Sequence, residues 1–166
     1  MQIPKRKPGK YTHLELDPHL TEDKFCELEK KLEKLKKISR PRAAAEVGRL
    51  AELGDFSENV EYQLAKGRLR GINNNILILE NQLIRAVIIK PQKQISTVQL
   101  GHKVTVENNK GQKTYQILGS EETRPQQGVI SHNSPIGAAL IGRREGDIVK
   151  IKIADNELKY KIIKIM

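Results

Sequence analysis

Tryptophan is absent, aromatic residues make up only 4% of the chain, and one cysteine, Cys26, stands alone among 166 residues. So few rings argue against a surface that binds nucleic acid by stacking bases. A single thiol excludes an intrachain disulfide and fits a reducing compartment. No segment approaches the ~20 consecutive apolar residues that a membrane span requires. The opening stretch, MQIPKRKPGKYTHLELDPHL, lacks the apolar run of a secretory signal. A cytoplasmic protein with no membrane contact is expected.

What the chain does have is charge. Lys and Arg number 30 against 20 Asp and Glu, a net charge of +10. Such a surplus points toward a polyanionic partner or simply toward solubility. With few rings to stack, a nucleic acid would be met through its phosphates.

Hydrophobic spacing divides the sequence. Residues 1–18 carry Pro4, Pro8 and Gly9 among basic residues without periodicity, and read as a mobile basic leader. Thr21, followed by Glu22 and Asp23, is a helix N-cap with acids in the first turn. Phe25, Leu28, Leu32 and Leu35 form a helical seam. Pro41 predicts a kink or a restart after Ser39, Val47, Leu50 and Leu53 resume the stripe, and Gly54 is its stop. Tyr62, Ala65, Leu69, Ile72, Ile76, Leu79, Leu83 and Ala86 then alternate steps of three and four, a coiled-coil pattern. The simplest partner for this seam is the preceding helix, folded back at Gly54. Residues 19–90 are therefore expected to form an antiparallel hairpin, a rod about 40 Å long at ~1.5 Å per residue. A monomer is expected.

From about residue 91 the texture changes to short alternating stretches. HKVTVE and KTYQIL flank NNKG, GVIS follows, and DIVKIKI and LKYKIIKI flank ADNE. Ser134 and Pro135 begin one short helix that Gly142 ends. The fold class is α+β: a coiled-coil hairpin followed, over residues 91–166, by a small antiparallel sheet with one covering helix.

The hairpin tip, residues 54–59, holds Asp55 and Glu58 three positions apart. They match a capping box for the second helix, with Ser57 as an alternative cap. They also match two outward-facing oxygen ligands for Mg²⁺, a site so weak that a partner must complete it. Both readings stand at this point. Behind the tip, Lys66, Arg68 and Arg70 are the only charged residues between Tyr62 and Leu79, and Arg42 and Arg49 approach from the other helix. This basic shaft is suited to guiding a nucleic-acid backbone, although a solvated helix face would look the same. His13, His19, His102 and His132 have no metal-ligand spacing and read as surface or packing residues.

LGDFSENVEYQLAK and GVISHNSPIGAALIGRREGDIV resemble the tip motif and the C-terminal segment of the bacterial transcript-cleavage factors GreA and GreB. The resemblance runs from about residue 20 to the end. It implies an FKBP-like C-terminal domain that docks on bacterial RNA polymerase and a coiled coil that enters the secondary channel. There Asp55 and Glu58 would help hold a second Mg²⁺, Asp55 as metal ligand and Glu58 positioning metal or water, so that the polymerase cleaves backtracked RNA at its 3′ end. The chain alone would hydrolyse nothing. Lys66 matches an RNA-contacting position, Arg68 and Arg70 match the more basic GreB-like stretch, and Arg49 lies nearby. Asn133, Ser134 and Pro135 match the loop linked to polymerase docking. Ala51 and Ala138 stand where Arg is common in the family, and the net charge departs from its acidic members. Those departures keep a second possibility open, a channel-binding regulator that occludes rather than cleaves. A third is a peptide-binding or prolyl-isomerase-like module with a coiled-coil arm, against which the scarcity of aromatics counts.

Overall fold

A computed structural model of the chain describes residues 17–52, 54, 59–90, 96–109, 111–153 and 156–166, with backbone only at 152–153 and 156–157. A two-residue strand β1 (His19–Leu20) leads into α1 (Glu22–Lys34). Thr21 caps that helix as expected, its hydroxyl accepting from the Lys24 N–H at 3.2 Å.

The helix does not stop near Pro41. Leu35–Ser39 form one π-helical turn that runs on into α2 (Arg40–Ala51), and Ser39 makes no side-chain cap. The Arg40 N–H reaches back five residues to the Leu35 carbonyl. Proline lacks an N–H and its ring crowds the preceding turn. A widened turn placed just before it absorbs both defects without breaking the rod. Beyond α2 the Gly54 N–H bonds the Ala51 carbonyl at 3.3 Å, with a left-handed φ of 73°. That conformation suits glycine.

The second arm is α3 (Val60–Arg85). All eight predicted seam residues are buried or half-buried, with Ala65, Ile76 and Leu79 fully so, while most residues between them are exposed. Ion pairs Lys36–Glu80 (2.5 Å) and Arg68–Glu46 (3.4 Å) join the arms, numbers rising on one as they fall on the other. The pairing is therefore antiparallel. Near the rod's base Leu20, Leu28 and Leu79 bury together against Phe25, Leu32, Leu35, Leu83 and Ala86. Strand β2 (Val87–Ile88) then pairs parallel with β1, tying the two ends of the hairpin together.

The remaining strands are β3 (Lys103–Asn108), β4 (Gly111–Leu118), β5 (Val129–Ser131), β6 (Ile148–Ile153) and β7 (Asn156–Ile165), in the sheet order β5-β4-β3-β7-β6. Both predicted hairpins form, β3 with β4 and β6 with β7. The sheet is antiparallel except at β5, which runs parallel to β4 after a crossover through residues 119–128. Short helix α4 (Pro135–Leu140) covers it, and Leu140 joins Val104, Ile117 and Ile162 at full burial.

Rod and sheet meet through residues that the sequence places at or just after the end of the leader. The Glu122 carboxylate accepts from the Thr21 N–H (2.7 Å) and hydroxyl (2.6 Å). Asp17 accepts from the Ser120 N–H (2.8 Å) and hydroxyl (3.0 Å). At the rod's own base, the Pro18 carbonyl accepts from the Val87 N–H at 2.8 Å. These anchors set where the tip lies relative to the C-terminal part.

Candidate functional site

Asp55 and Glu58 lie outside the described residues. What the structure does describe is what surrounds them. Val60 is the first residue of α3, and Asn59 is its N-cap, in extended conformation with its side chain accepting from the Tyr62 N–H at 3.1 Å. The capping-box reading is thereby corrected: neither Asp55 nor Ser57 is the N-cap, because Asn59, one of the best capping residues, takes the position. In the sequence both acids precede that cap, between the end of α2 and the start of α3.

The basic residues do not form one patch. Lys66 and Arg70, four apart, share a flank of α3, and the Lys66 ammonium lies 5.9 Å from the Tyr62 ring centroid. Arg68 projects to the opposite flank and pairs with Glu46. On α2, Arg42, Glu46 and Arg49 recur at helical spacing on one face, so Arg49 belongs to the Arg68 side. All four predicted RNA-contacting residues, Arg49, Lys66, Arg68 and Arg70, are exposed. The shaft thus has two basic flanks, one of them partly neutralised by an acid that the α3 sequence alone does not reveal.

Ser134 caps α4, accepting from the Gly137 N–H (3.0 Å) and donating to the Ser131 carbonyl (2.6 Å). Its side chain is thus committed to the fold. It holds out the exposed neighbours Asn133 and Pro135, and the Asn133 N–H bonds the Ser131 hydroxyl at 3.0 Å. Gly137 permits this approach, since a Cβ there would stand 2.1 Å from the Ser131 carbonyl oxygen.

Sequence spacing misses a second cluster. His19 and His132, read as surface or packing residues, converge on Asp17: His19 Nδ1 lies 2.9 Å from Asp17 Oδ1 and His132 Nδ1 lies 3.3 Å from Oδ2. Burial alone would raise the Asp17 carboxyl, but hydrogen bonds from the Ser120 and His19 backbones, the His19 ring and the Ser120 hydroxyl together hold it below its ordinary value. No local signal connects residues 113 positions apart; only the fold brings them together. Of the other two histidines, His102 is buried, and His13 lies outside the described residues.

Among the described residues no helix is long and apolar enough to cross a membrane. The family model described as "Transcription elongation factor, N-terminal" matches residues 19–88, and "Transcription elongation factor, GreA/GreB, C-term" matches residues 92–166. A protein named transcription elongation factor GreA from Macrococcus caseolyticus is 38% identical over 149 residues, covering 88% of this chain and 94% of the relative. Its namesake from Acetivibrio thermocellus is 39% identical with the same coverage. A crystal structure of GreA factor homolog 1 (Gfh1) of Thermus thermophilus is 25% identical, covers 90% of this chain and 99% of that one, and superposes with a TM-score of 0.42. With two family models spanning most of its length and curated relatives above one-third identity, this chain belongs to the GreA/GreB family of transcription elongation factors.

Proposed function

We propose that the chain inserts its helical rod into the secondary channel of bacterial RNA polymerase and stimulates the polymerase's own cleavage of backtracked RNA. The observation that carries this reading is the cap. Asn59 supplies the helix-terminal hydrogen bond, so Asp55 and Glu58 are not needed to start α3. Carboxylates beside a helix N-terminus are favoured in their ionised form. An all-oxygen pair is a hard donor set that suits Mg²⁺, with its remaining ligands coming from water, phosphate and the polymerase. Asp55 would hold the ion and Glu58 would orient the ion or its water. When bound, such an ion activates water and relieves charge on the leaving oxygen.

The rest of the chain supports delivery. The 26 residues of α3 give a reach of about 39 Å at ~1.5 Å per residue. Lys66 and Arg70 on one flank, with Arg68 and Arg49 on the other, would contact phosphates of the extruded RNA 3′ end. Asn133 and Pro135, held out by Ser134, would meet the polymerase surface. The apolar seam closes within one chain, which favours a monomer. A role on RNA polymerase implies a cytoplasmic protein with no hydrolytic activity of its own.

Stalled, backtracked elongation complexes provide the test. Added protein should release short 3′ RNA fragments only with Mg²⁺ present, and Asp55→Asn should bind the complex without releasing them. Equal cleavage by Asp55→Asn would remove the metal-holding role. Slowed nucleotide addition with no fragments would replace this reading with channel occlusion.

A further inference from the structure

We propose that Asp17, His19 and His132 form a site for a divalent transition-metal ion of the Zn²⁺ class, fastening the base of the rod to the sheet domain. One ligand atom from each residue lies within 4.8 Å of the other two. Tetrahedral zinc with bonds of ~2.0–2.1 Å holds its ligand atoms about 3.3–3.4 Å apart. His19 Nδ1 lies 2.9 Å from Asp17 Oδ1 and His132 Nδ1 lies 3.3 Å from Oδ2, so the carboxylate faces both rings, and a bound ion would draw the three ligand atoms from within 4.8 Å to that spacing.

Hydrogen bonding within the cluster is complete on the acid and incomplete on one imidazole. Asp17 Oδ1 accepts from the His19 N–H at 3.1 Å and faces the His19 ring nitrogen. Its Oδ2 accepts twice from Ser120. The Asp17 side chain is 5% exposed, so these bonds hold it in place. His132 Nδ1 is also buried, faces Oδ2, and among the described residues makes no well-aligned hydrogen bond. A buried ring nitrogen without a hydrogen-bond partner, aimed at an oriented carboxylate, is what a metal would complete. The two rings stand edge to face, 5.3 Å between centroids, and Nδ1 of each faces the acid.

The chemistry of the donors selects the ion. Two imidazole nitrogens and one carboxylate oxygen suit Zn²⁺ and its neighbours in the first transition row, whereas Mg²⁺ prefers oxygen throughout. On binding, the single His19 ring proton would sit on Nε2 rather than between Nδ1 and Oδ1, leaving the Nδ1 lone pair for the metal. Ser120, through both of its bonds to Asp17, is the outer-shell support such sites use. Water would fill a fourth position.

The ligands come from separate parts of the fold. Asp17 and His19 lead into α1, and His132 follows β5, directly ahead of Asn133–Pro135. An ion here therefore joins the entry to the rod with the loop that begins α4. This inference is independent of the tip chemistry and is measured without polymerase.

The experiment uses the full, untagged chain, stripped with chelator and titrated with Zn²⁺ alone by calorimetry. One equivalent should bind, and His132→Asn and His19→Asn should each weaken binding by at least tenfold, consistent with the ~10–100-fold that even outer-shell losses cause. Cys26→Ser, on the exposed face of α1, should bind as the parent does. A second readout needs no ligand variant: Zn²⁺ should move the ring-nitrogen resonances of two histidines in ¹⁵N spectra, and Co²⁺ should give the visible absorption of a four-coordinate site. Failure to bind one equivalent, undiminished binding by the His19→Asn/His132→Asn pair, or unmoved histidine resonances would overturn the proposal.

Discussion

The Glu122 carboxylate takes both donors of Thr21, the backbone N–H at 2.7 Å and the hydroxyl at 2.6 Å, across 101 residues of sequence. The same Thr21 hydroxyl accepts from Lys24 and so starts α1. One acid therefore holds the first turn of the rod against the sheet domain. Glu122→Ala leaves the half-buried Thr21 N–H without its partner and should lower unfolding stability by about 1–3 kcal/mol. Glu121→Ala, at an exposed neighbouring position, should stay within about 0.5 kcal/mol of the parent. Urea unfolding of both variants checks this, and equal values would mean that the contact does not hold the junction.

Stability and activity should separate at the tip. Asn59 supplies the α3 cap, so Asn59→Ala should cost about 1 kcal/mol, within the usual ~0.5–2 kcal/mol for a lost cap. Asp55→Asn and Glu58→Gln should leave the melting temperature nearly unchanged and remove fragment release. If the acid variants instead lost stability as Asn59→Ala does, the carboxylates would be structural after all.

The parts of the architecture legible in the sequence are those with a local period. The alternation of three and four from Tyr62 to Ala86 foretells the buried face of α3, and strand alternation around NNKG and ADNE foretells both hairpins. Pro41 is harder to read, because a π turn beforehand lets the helix continue and leaves no mark in hydrophobic spacing. The capping residue is ambiguous in the sequence because Asp55, Ser57 and Asn59 are all good caps and only the helix start distinguishes them. Parallel pairing of β4 with β5, the Arg68–Glu46 pair and the Asp17–His19–His132 cluster depend on contacts between distant segments. Residue spacing carries no trace of those.

Charge on the two flanks of the rod should be unequal in effect. Arg68 is paired with Glu46, whereas Lys66 and Arg70 share the opposite flank, with Lys66 over Tyr62. If the rod lies along extruded RNA, Lys66→Ala and Arg70→Ala should each reduce cleavage more than Arg68→Ala. Each of the first two should also flatten the salt dependence of binding by about one phosphate contact. Because the Arg68–Glu46 pair is exposed, breaking it by Glu46→Gln should change stability by less than about 1 kcal/mol. Salt-dependent binding to backtracked complexes tests the ordering, and an Arg68→Ala loss exceeding the other two would reverse the assignment of flanks.

Two glycine substitutions of identical size should act in opposite directions. A methyl at Gly137 would stand 2.1 Å from the Ser131 carbonyl oxygen and 3.0 Å from the His132 Cα, both backbone atoms that no rotamer change can move. Gly137→Ala must therefore push α4 away from the loop that carries Asn133 and Pro135, at a cost of about 3 kcal/mol or more, the upper end for overpacking. Gly71 sits mid-helix in α3, and a methyl added there would meet nothing within 4 Å. At that position alanine only removes glycine's excess freedom in the unfolded chain, so Gly71→Ala should stabilise by about 0.5–1 kcal/mol. Chemical denaturation of the two variants measures both effects. A neutral Gly137→Ala would mean that the α4 loop has room it does not show here, and the close docking of Ser134 on Ser131 would then not be what holds Asn133 and Pro135 outward.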